Sequence, residues 1–278
     1  MRRNTQGVRM KLVSFNINGI KARGPALIRW LDAFQPDVLV MQEIKSVDDG
    51  FPREIFTERG YHLETHGQKG FNGVAIASKL PLSDVSRGLP GDDDDAQSRY
   101  IEATVQGATH SLRVCGLYLP NGNPVELDGA GAPVPGGKYA YKLAWMDRLR
   151  ARAAELLAAE TPFVMLGDYN IIPQPEDAAR PKAWENDALF RLPSRAAFRQ
   201  IVNLGLTDAL RARTQAPESY TFWDYQAGAW DRNDGIRIDH ILLCPYAADW
   251  LQYCGIDRAV RGEEKPSDHV PIWAEMAL

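Results

Sequence analysis

Phe163-Val-Met-Leu-Gly-Asp-Tyr-Asn170 is the stretch from which the fold can be read. Its four leading apolar residues suit a short buried strand, and Thr161-Pro162 closes the helical pattern before them. Gly167 breaks the run, and a carboxylate and an amide, Asp168 and Asn170, follow at once. A buried strand with this ending sets polar groups where a sheet meets solvent, which is where open α/β folds bind ligands. Taken alone, Asp and Asn also make an ordinary β-turn. The rest of the chain decides the matter, because it repeats the device.

Val38-Leu-Val-Met41 is a second buried strand, and Gln42-Glu43 follow it directly. Lys11 to Asn18 alternates apolar and polar and delivers Asn16 and Asn18 near its end. Between these strands Pro25 opens a helix with Leu27, Ile28, Leu31 and Phe34 at helical spacing, ending before Pro36. The second half echoes the first. Leu112 to Leu117 delivers Tyr118 and Asn121, and Tyr139 to Glu160 is the longest amphipathic helix; it feeds the Phe163 strand. Arg99–Val105 pairs with Leu112–Leu117, and Tyr61–His66 pairs with Val74–Ser78 about a glycine turn. Pro52–Arg59, Ala196–Leu204 and Leu206–Arg211 read as further short helices. Ile236–Leu243 and Val270–Met276 read as the last strands. Gly122–Gly137, rich in Gly, Pro and Ala, is a loop, as is the acidic run Asp92–Asp95.

Two α/β halves with equivalent strand ends can stack their sheets face to face, with helices outside and every strand end at one rim. Strand pairs without an intervening helix exclude an all-parallel sheet. We expect a flexible tail over residues 1–9 and one catalytic domain over 10–278, acting as a monomer.

Composition is that of an ordinary globular chain, 45% apolar and 24% charged over 278 residues. No run approaches the ~20 apolar residues that span a bilayer, and the polar start lacks the apolar core of a secretory signal. The three cysteines show no Cys-x-x-Cys spacing, so neither a disulfide framework nor a zinc site is expected, and buried thiols in a cytoplasmic protein account for them. A net charge of −4 argues against a passive nucleic-acid coat but not against an enzyme whose carboxylates gather a cation.

The candidate constellation is Asn16, Glu43, Tyr118, Asn121, Asp168, Asn170, Asp239, Asp268 and His269. Nearly all stand at a strand end or in the turn beside it. Hard oxygen donors without thiolate suit Mg²⁺, with Mn²⁺ as its substitute. Such a set favours hydrolysis of a phosphate ester. A cation meets charge on the phosphoryl oxygens, a carboxylate activates water, and amide, phenol and imidazole groups bind the phosphate. Each residue also has a bland reading alone: Asp239 as an ion-pair partner, His269 as a core histidine, and Trp223 and Tyr225 as core aromatics.

Seven segments occur in order: Val13-Ser-Phe-Asn-Ile-Asn-Gly19, Met41-Gln-Glu-Ile-Lys45, Leu117-Tyr-Leu-Pro-Asn-Gly122, Leu166-Gly-Asp-Tyr-Asn-Ile171, Tyr220-Thr-Phe-Trp-Asp-Tyr225, Arg237-Ile-Asp-His240 and Ser267-Asp-His269. Each is weak alone. As an ordered set from about Met10 to the end they resemble the exonuclease III/AP endonuclease family.

The resemblance implies a four-layered α/β sandwich, two packed mixed β-sheets flanked by helices. It makes Glu43 a Mg²⁺ ligand with Asn16 beside it, and places Asp168, Asn170, Asp268 and His269 around the same ion. Asp168 would orient or deprotonate the attacking water with Asn170 helping to position it. Tyr118, Asn121 and His269 would contact the scissile phosphate, Asp239 would hold the His269 imidazole, and Asp268 would assist at the metal or the leaving group. Lys45 and Arg99 would lie near the DNA backbone. Phe222 or Trp223 with Ile236 and Ile238 would form a small apolar pocket for a flipped-out abasic sugar, since a nucleotide without its base is cheap to extrude. The implied partner is double-stranded DNA with abasic sites or 3′ ends, cut 5′ to the lesion, with 3′→5′ trimming. Two other readings use the same residues: a related phosphoesterase on a substrate other than nucleic acid, and a damage-binding protein that does not cut.

Overall fold

The structure is a computed structural model that describes residues 9–107 and 109–277. Residues 1–8 of the expected tail lie outside the described residues. Arg9, placed in the tail by the sequence reading, already belongs to the first strand, where it pairs with Ala277.

The first sheet contains β1 (Arg9–Asn16), β2 (Val38–Gln42), β3 (His62–His66) and β4 (Val74–Ser78). The second contains β5 (Leu82–Arg87), β6 (Tyr100–Gln106), β7 (Ser111–Tyr118), β8 (Phe163–Asp168), β9 (Thr207–Asp208) and β10 (Asp239–Leu243). The chain then returns to complete the first with β11 (Leu251–Ile256) and β12 (Ile272–Ala277). The strand orders are β11-β12-β1-β2-β4-β3 and β5-β6-β7-β8-β10-β9. In each sheet one central pair is parallel, β1 with β2 and β7 with β8, and the other pairs are antiparallel. Both sheets are therefore mixed, as expected.

The two-residue alternation of the strands makes the layers. Leu12, Val38, Val40 and Ile76 from the first sheet meet Val114, Val164, Leu166 and Ile241 from the second in one core. The opposite faces of β1 and β2 carry Val13, Phe15, Leu39 and Met41, which pack with Leu27, Trp30 and Leu31 of α1 (Ile20–Phe34). The second sheet is covered by α3 (Lys138–Ala158), through Trp145, Met146, Leu149, Ala153 and Leu156. A short α2 (Glu54–Thr57) precedes β3; α4 (Leu192–Val202), α5 (Ala209–Arg213) and α6 (Pro245–Trp250) complete the set. Helix, sheet, sheet, helix gives the four layers.

Some boundaries depart from the sequence reading, each for a local reason. Helix α1 starts five residues before Pro25, because Gly19 N donates to Glu43 O at 2.7 Å and Ile20 N to Ile44 O at 3.2 Å, which organises an extra first turn. Helix α4 starts at Leu192, with Pro193 inside its first turn, where a missing N–H leaves no gap in the ladder. Strand β10 begins only at Asp239, since Ile236 bridges Phe222 and Ala178 instead of β8. The edge strands β5 and β11 went unread; neither shows the strict alternation of a half-buried strand.

The Gly122–Gly137 loop closes on itself. Val134 N donates to Glu126 O, Leu127 bridges Pro133, and the Asp128 carboxylate accepts from Ala130 N and Ala132 N. Its root is fixed by Asn123, which donates to Asp187 at 3.0 Å and accepts from Ala188 N at 3.2 Å.

All four parallel strands end at one rim, in register: Asn16 opposite Gln42, and Tyr118 opposite Asp168. Close backbone approach fixes that register. A Cβ on Gly167 would stand 1.9 Å from Leu117 O, and one on Gly116 would stand 2.6 Å from a Val40 methyl across the core. Gly167→Ala is expected to destabilise the fold by about 3 kcal/mol or more, at the upper end of overpacking, read as a lower midpoint in chemical unfolding at unchanged slope. A midpoint equal to the wild type's would show that β7 and β8 separate freely.

Candidate active site

Glu43, Asp168 and His269 offer ligand atoms that all lie within 4.8 Å of one another, the only such group among the described residues. Three chain regions supply them: the end of β2, the end of β8 and the turn before β12. The end of β1 ties them together. The Asn16 side-chain amide donates to Glu43 Oε1 and to Asp168 Oδ2, both at 2.9 Å. Ser267 Oγ donates to Asn16 O at 2.7 Å and accepts from His269 N at 3.2 Å, so the histidine turn is anchored to β1.

His269 is buried. Its Nδ1 faces Asp239 Oδ2 at 2.8 Å, and its Nε2 lies 3.7 Å from Asp168 Oδ2. Asp239 is in turn held by Thr221 Oγ1, which accepts from the backbone N–H groups of Ile238 and Asp239. Tyr118 donates its hydroxyl to Glu43 Oε1 at 2.9 Å, and Lys45 Nζ sits 2.8 Å from Glu43 Oε2. Arg99 stacks its guanidinium 4.7 Å over the Tyr118 ring. Asn170 N donates to Asp168 Oδ1 at 2.8 Å; its side chain donates to Leu119 O and accepts from Asn121. Asp268 stands apart from the three-residue group and accepts from Asn18 at 3.0 Å.

Backbone geometry at the rim is unusual. Asn18, Glu43, Lys45 and Asn170 all have φ near +50°. Each such non-glycine position costs about 1–3 kcal/mol and persists only where its surroundings over-determine it. Here the bonds from Gly19 N to Glu43 O and from Lys45 N to Asn72 O do so.

Burial and charge set the protonation states. Burial pushes Asp168 up to about 7, against the pull of His269, while Asp239 adds to the rise. Burial alone would lower His269, but the carboxylates of Asp239 and Asp168 outweigh it and hold the imidazole up to about 10. Burial raises Glu43, yet hydrogen bonds from Lys45 and Asn16 prevail and keep it below the ordinary carboxylate range. Tyr118 is held well above its usual value by burial and by Glu43. The resting site thus carries ionised Glu43, protonated His269 and protonated Tyr118 at neutral pH.

The aromatic pocket needs correction. Phe222 and Ile236 line a cavity of about 330 Å³ with Trp184, Asp187 and Arg180, and the Phe222 ring lies 5.0 Å from the His269 ring. Trp223 is fully buried on the other side, packed with Tyr220, Trp230 and Val270, and its indole donates to Asn233. It has no face left for a ligand. Ile238 is also buried, in the apolar cluster beneath Ile236, and does not line the cavity. Alternation along the chain told which residues share a face but not which face opens to solvent.

Three groups at the site lie outside the constellation read from the sequence, though the sequence reading names Asn18 and Tyr225, the latter as a core aromatic. Asn18 accepts from Lys45 and donates to Asp268. Tyr225 donates to Pro266 O and accepts from Arg23, joining the histidine turn to α1. Lys142 is fully buried, with burial lowering its ammonium to about 7, and its Nζ meets three backbone carbonyls beneath Asn121 and Asn170. Its signal was a charge on the apolar stripe of α3.

Two packed mixed sheets whose rim gathers hard oxygen donors, a phenol and an aspartate-held imidazole define a metal-assisted phosphoester hydrolase. The model of the Endonuclease/Exonuclease/phosphatase family matches residues 13–269, and the chain belongs to that family. Exodeoxyribonuclease III of Haemophilus influenzae is 36% identical over 96% of this chain and 99% of its own length. An AP endonuclease from Archaeoglobus fulgidus superposes with a TM-score of 0.87 at 36% identity, over 97% of this chain and 100% of that one. The 3′ phosphatase NExo from Neisseria, solved bound to a product DNA hairpin, gives a TM-score of 0.89 at 36% identity over the same shares.

In the metal-free protein, Asp239→Asn is expected to bring His269 down from about 10 towards the ordinary imidazole value. The raised value stabilises the fold in full below about pH 6.5, and this is lost as pH rises through about 10. The variant therefore loses that pH dependence. An NMR titration of the His269 ring protons reads it, and an unchanged midpoint would show that Asp239 does not hold the imidazolium.

Proposed function

We propose that this chain is a divalent-metal-dependent DNA repair nuclease that incises duplex DNA on the 5′ side of an abasic site, leaving a 3′-hydroxyl. It also trims 3′ ends. The observation that carries the reading is the Glu43–Asn16–Asp168 bridge beside a His269 held by Asp239, whose ring lies 5.0 Å from that of Phe222 on the wall of the cavity. The chain is a phosphodiester-bond hydrolase; family membership and relatives named for exodeoxyribonuclease, AP endonuclease and 3′ phosphatase activity support this. The catalytic unit is a single domain over residues 10–278, working as a monomer.

The donor set fits a hard divalent cation. Its ligand atoms are carboxylate oxygens, since His269, protonated and held by Asp239, offers an N–H and not a lone pair, and no cysteine among the described residues joins the group. An ammonium already sits against the outer oxygen of Glu43, so the place attracts positive charge. Glu43 would hold the ion, with Asp168 in reach and Asn16 and Asn170 around it; Asp268, paired with Asn18, stands apart from the ligands. When bound, Mg²⁺, or Mn²⁺ in its stead, supplies positive charge against the phosphoryl oxygens.

The protein's own groups do the rest. Asp168, fixed by Asn16 and the Asn170 backbone, orients a water on the phosphorus and takes its proton. The His269 imidazolium and the Tyr118 hydroxyl donate to the non-bridging oxygens as negative charge builds there. The water oxygen bonds to phosphorus as its proton passes to Asp168, the bond to the 3′ oxygen breaks, and that oxygen takes a proton from solvent and leaves as a hydroxyl, with Asp268 beside it. Asn121 contacts the phosphate, and Lys45 and Arg99 meet the flanking backbone. The cavity beside His269 takes a sugar that carries no base.

Incision of a labelled duplex with one abasic analogue is the test, run with Mg²⁺, with EDTA and beside an undamaged duplex. A single cut at the lesion that EDTA abolishes is expected. Progressive shortening of the undamaged 3′ end alone would make exonuclease the main activity, and cleavage of neither duplex would overturn the reading. Asp168→Asn is expected to lower turnover by about 10²–10⁴-fold, the range for a lost general base. Near-full turnover would remove Asp168 from that role.

A further inference from the structure

Helix α3 buries a stripe of Tyr139, Lys142, Trp145, Met146, Leu149, Ala153 and Leu156, and Lys142 is the one charge on it. Its side chain is fully buried, and it makes no salt bridge among the described residues. An isolated buried ammonium is unfavourable unless every N–H finds an acceptor. Here all three do. Nζ donates to Pro120 O at 3.1 Å, Asn121 O at 3.1 Å and Asn170 O at 2.7 Å. The stem fills the space under Gly122, where a Cβ would lie 2.6 Å from Lys142 Cδ.

These carbonyls belong to the two segments that run past the ends of β7 and β8. The β8 segment stays tied to the far side of the sheet through Tyr169 N to Ile238 O at 2.9 Å, but the pairing between the two segments themselves has ended. The last ladder bond between them is Leu119 N to Asp168 O at 2.8 Å, and Pro120 has no N–H to offer. Three carbonyl dipoles turned towards one point repel one another, and the Lys142 amino group, with three N–H when protonated, draws them together. Above the ammonium, the side chains of the same segments meet, Asn121 donating to Asn170 at 3.2 Å, and Asn170 N holds Asp168 at 2.8 Å.

We propose that Lys142 is a positioning residue of the hydrolytic site, a buried pin that sets Asn121 and Asn170 against Asp168 without touching substrate. The proposal rests on the nuclease reading for its substrate but not for its geometry. Lys142→Met keeps much of the apolar stem and leaves three buried acceptors without a donor. Lys142→Gln keeps two N–H donors on a shorter stem.

The test is a mutant cycle on the metal-loaded full chain with an abasic-analogue duplex, comparing wild type, Lys142→Met, Asn121→Ala and the double variant. Lys142→Met is expected to lower kcat about 10–100-fold, as misplaced reacting groups do, with KM changed less than about threefold. The double variant is expected to fall little below the weaker single one, because both act through the same amide. Independent, multiplying losses would overturn the proposal, as would a wild-type kcat in Lys142→Met. If the methionine variant does not fold, the same cycle with Lys142→Gln decides. If wild type fails to cut this duplex, the substrate reading falls, and the side-chain amide resonances of Asn121 and Asn170 decide instead. Their shift or broadening in the Lys142 variant supports the pin, and unchanged resonances sink it.

Discussion

Two carboxylates from different sheets, one fully and one partly buried, joined through one asparagine amide, set the terms for this rim. Glu43 and Asp168 repel each other, and burial magnifies the repulsion. The Asn16 amide answers both at once. Around it Lys45, Tyr118 and His269 each offset part of the remaining charge. None of these groups is close in sequence to all the others, so the balance exists only when both sheets are complete and packed. The cores that hold the sheets together and the polar groups at their ends are in this sense one system. Moving a strand by one residue would turn the apolar faces out of the core and take the amide away from its two partners.

Much of this was legible from the sequence because short apolar runs ending in acids or amides have few other uses. Val38–Met41 before Glu43 and Phe163–Leu166 before Asp168 placed the two sheets and the rim they share. What escaped depends on the third dimension. Trp223 and Phe222 are adjacent and equally aromatic, yet one closes a core and the other faces the cavity; only the packing of Tyr220, Trp230 and Val270 decides which. The Ile20–Gly24 turn of α1 is supported by β2's trailing loop, a contact that no local propensity records. The edge strands β5 and β11 lack a regular alternation because only part of each is covered. Lys142 was visible as a charge on an apolar stripe, but its acceptors are backbone carbonyls, which every residue has.

Rigidity at the rim comes from backbone as much as from side chains. Four left-handed residues, at Asn18, Glu43, Lys45 and Asn170, bend the chain sharply just past the strands. Hydrogen bonds that continue the β1–β2 and β2–β4 ladders beyond their last paired residues hold two of those bends. Side chains mounted this way are positioned before anything binds, which suits a reaction whose acceleration comes from fixed dipoles aimed at developing charge.

The Gly122–Gly137 excursion shows what such mounting permits. It satisfies its own hydrogen bonds, and both of its ends are fastened, one through Asn123 to Asp187 and Ala188 and the other at the start of α3. Length or sequence added between those fastenings has no lever on Asn121 or Asn170. Beyond Asn123 the excursion can therefore be lengthened, shortened or recomposed with little mechanical purchase on the hydrolytic groups a few residues away.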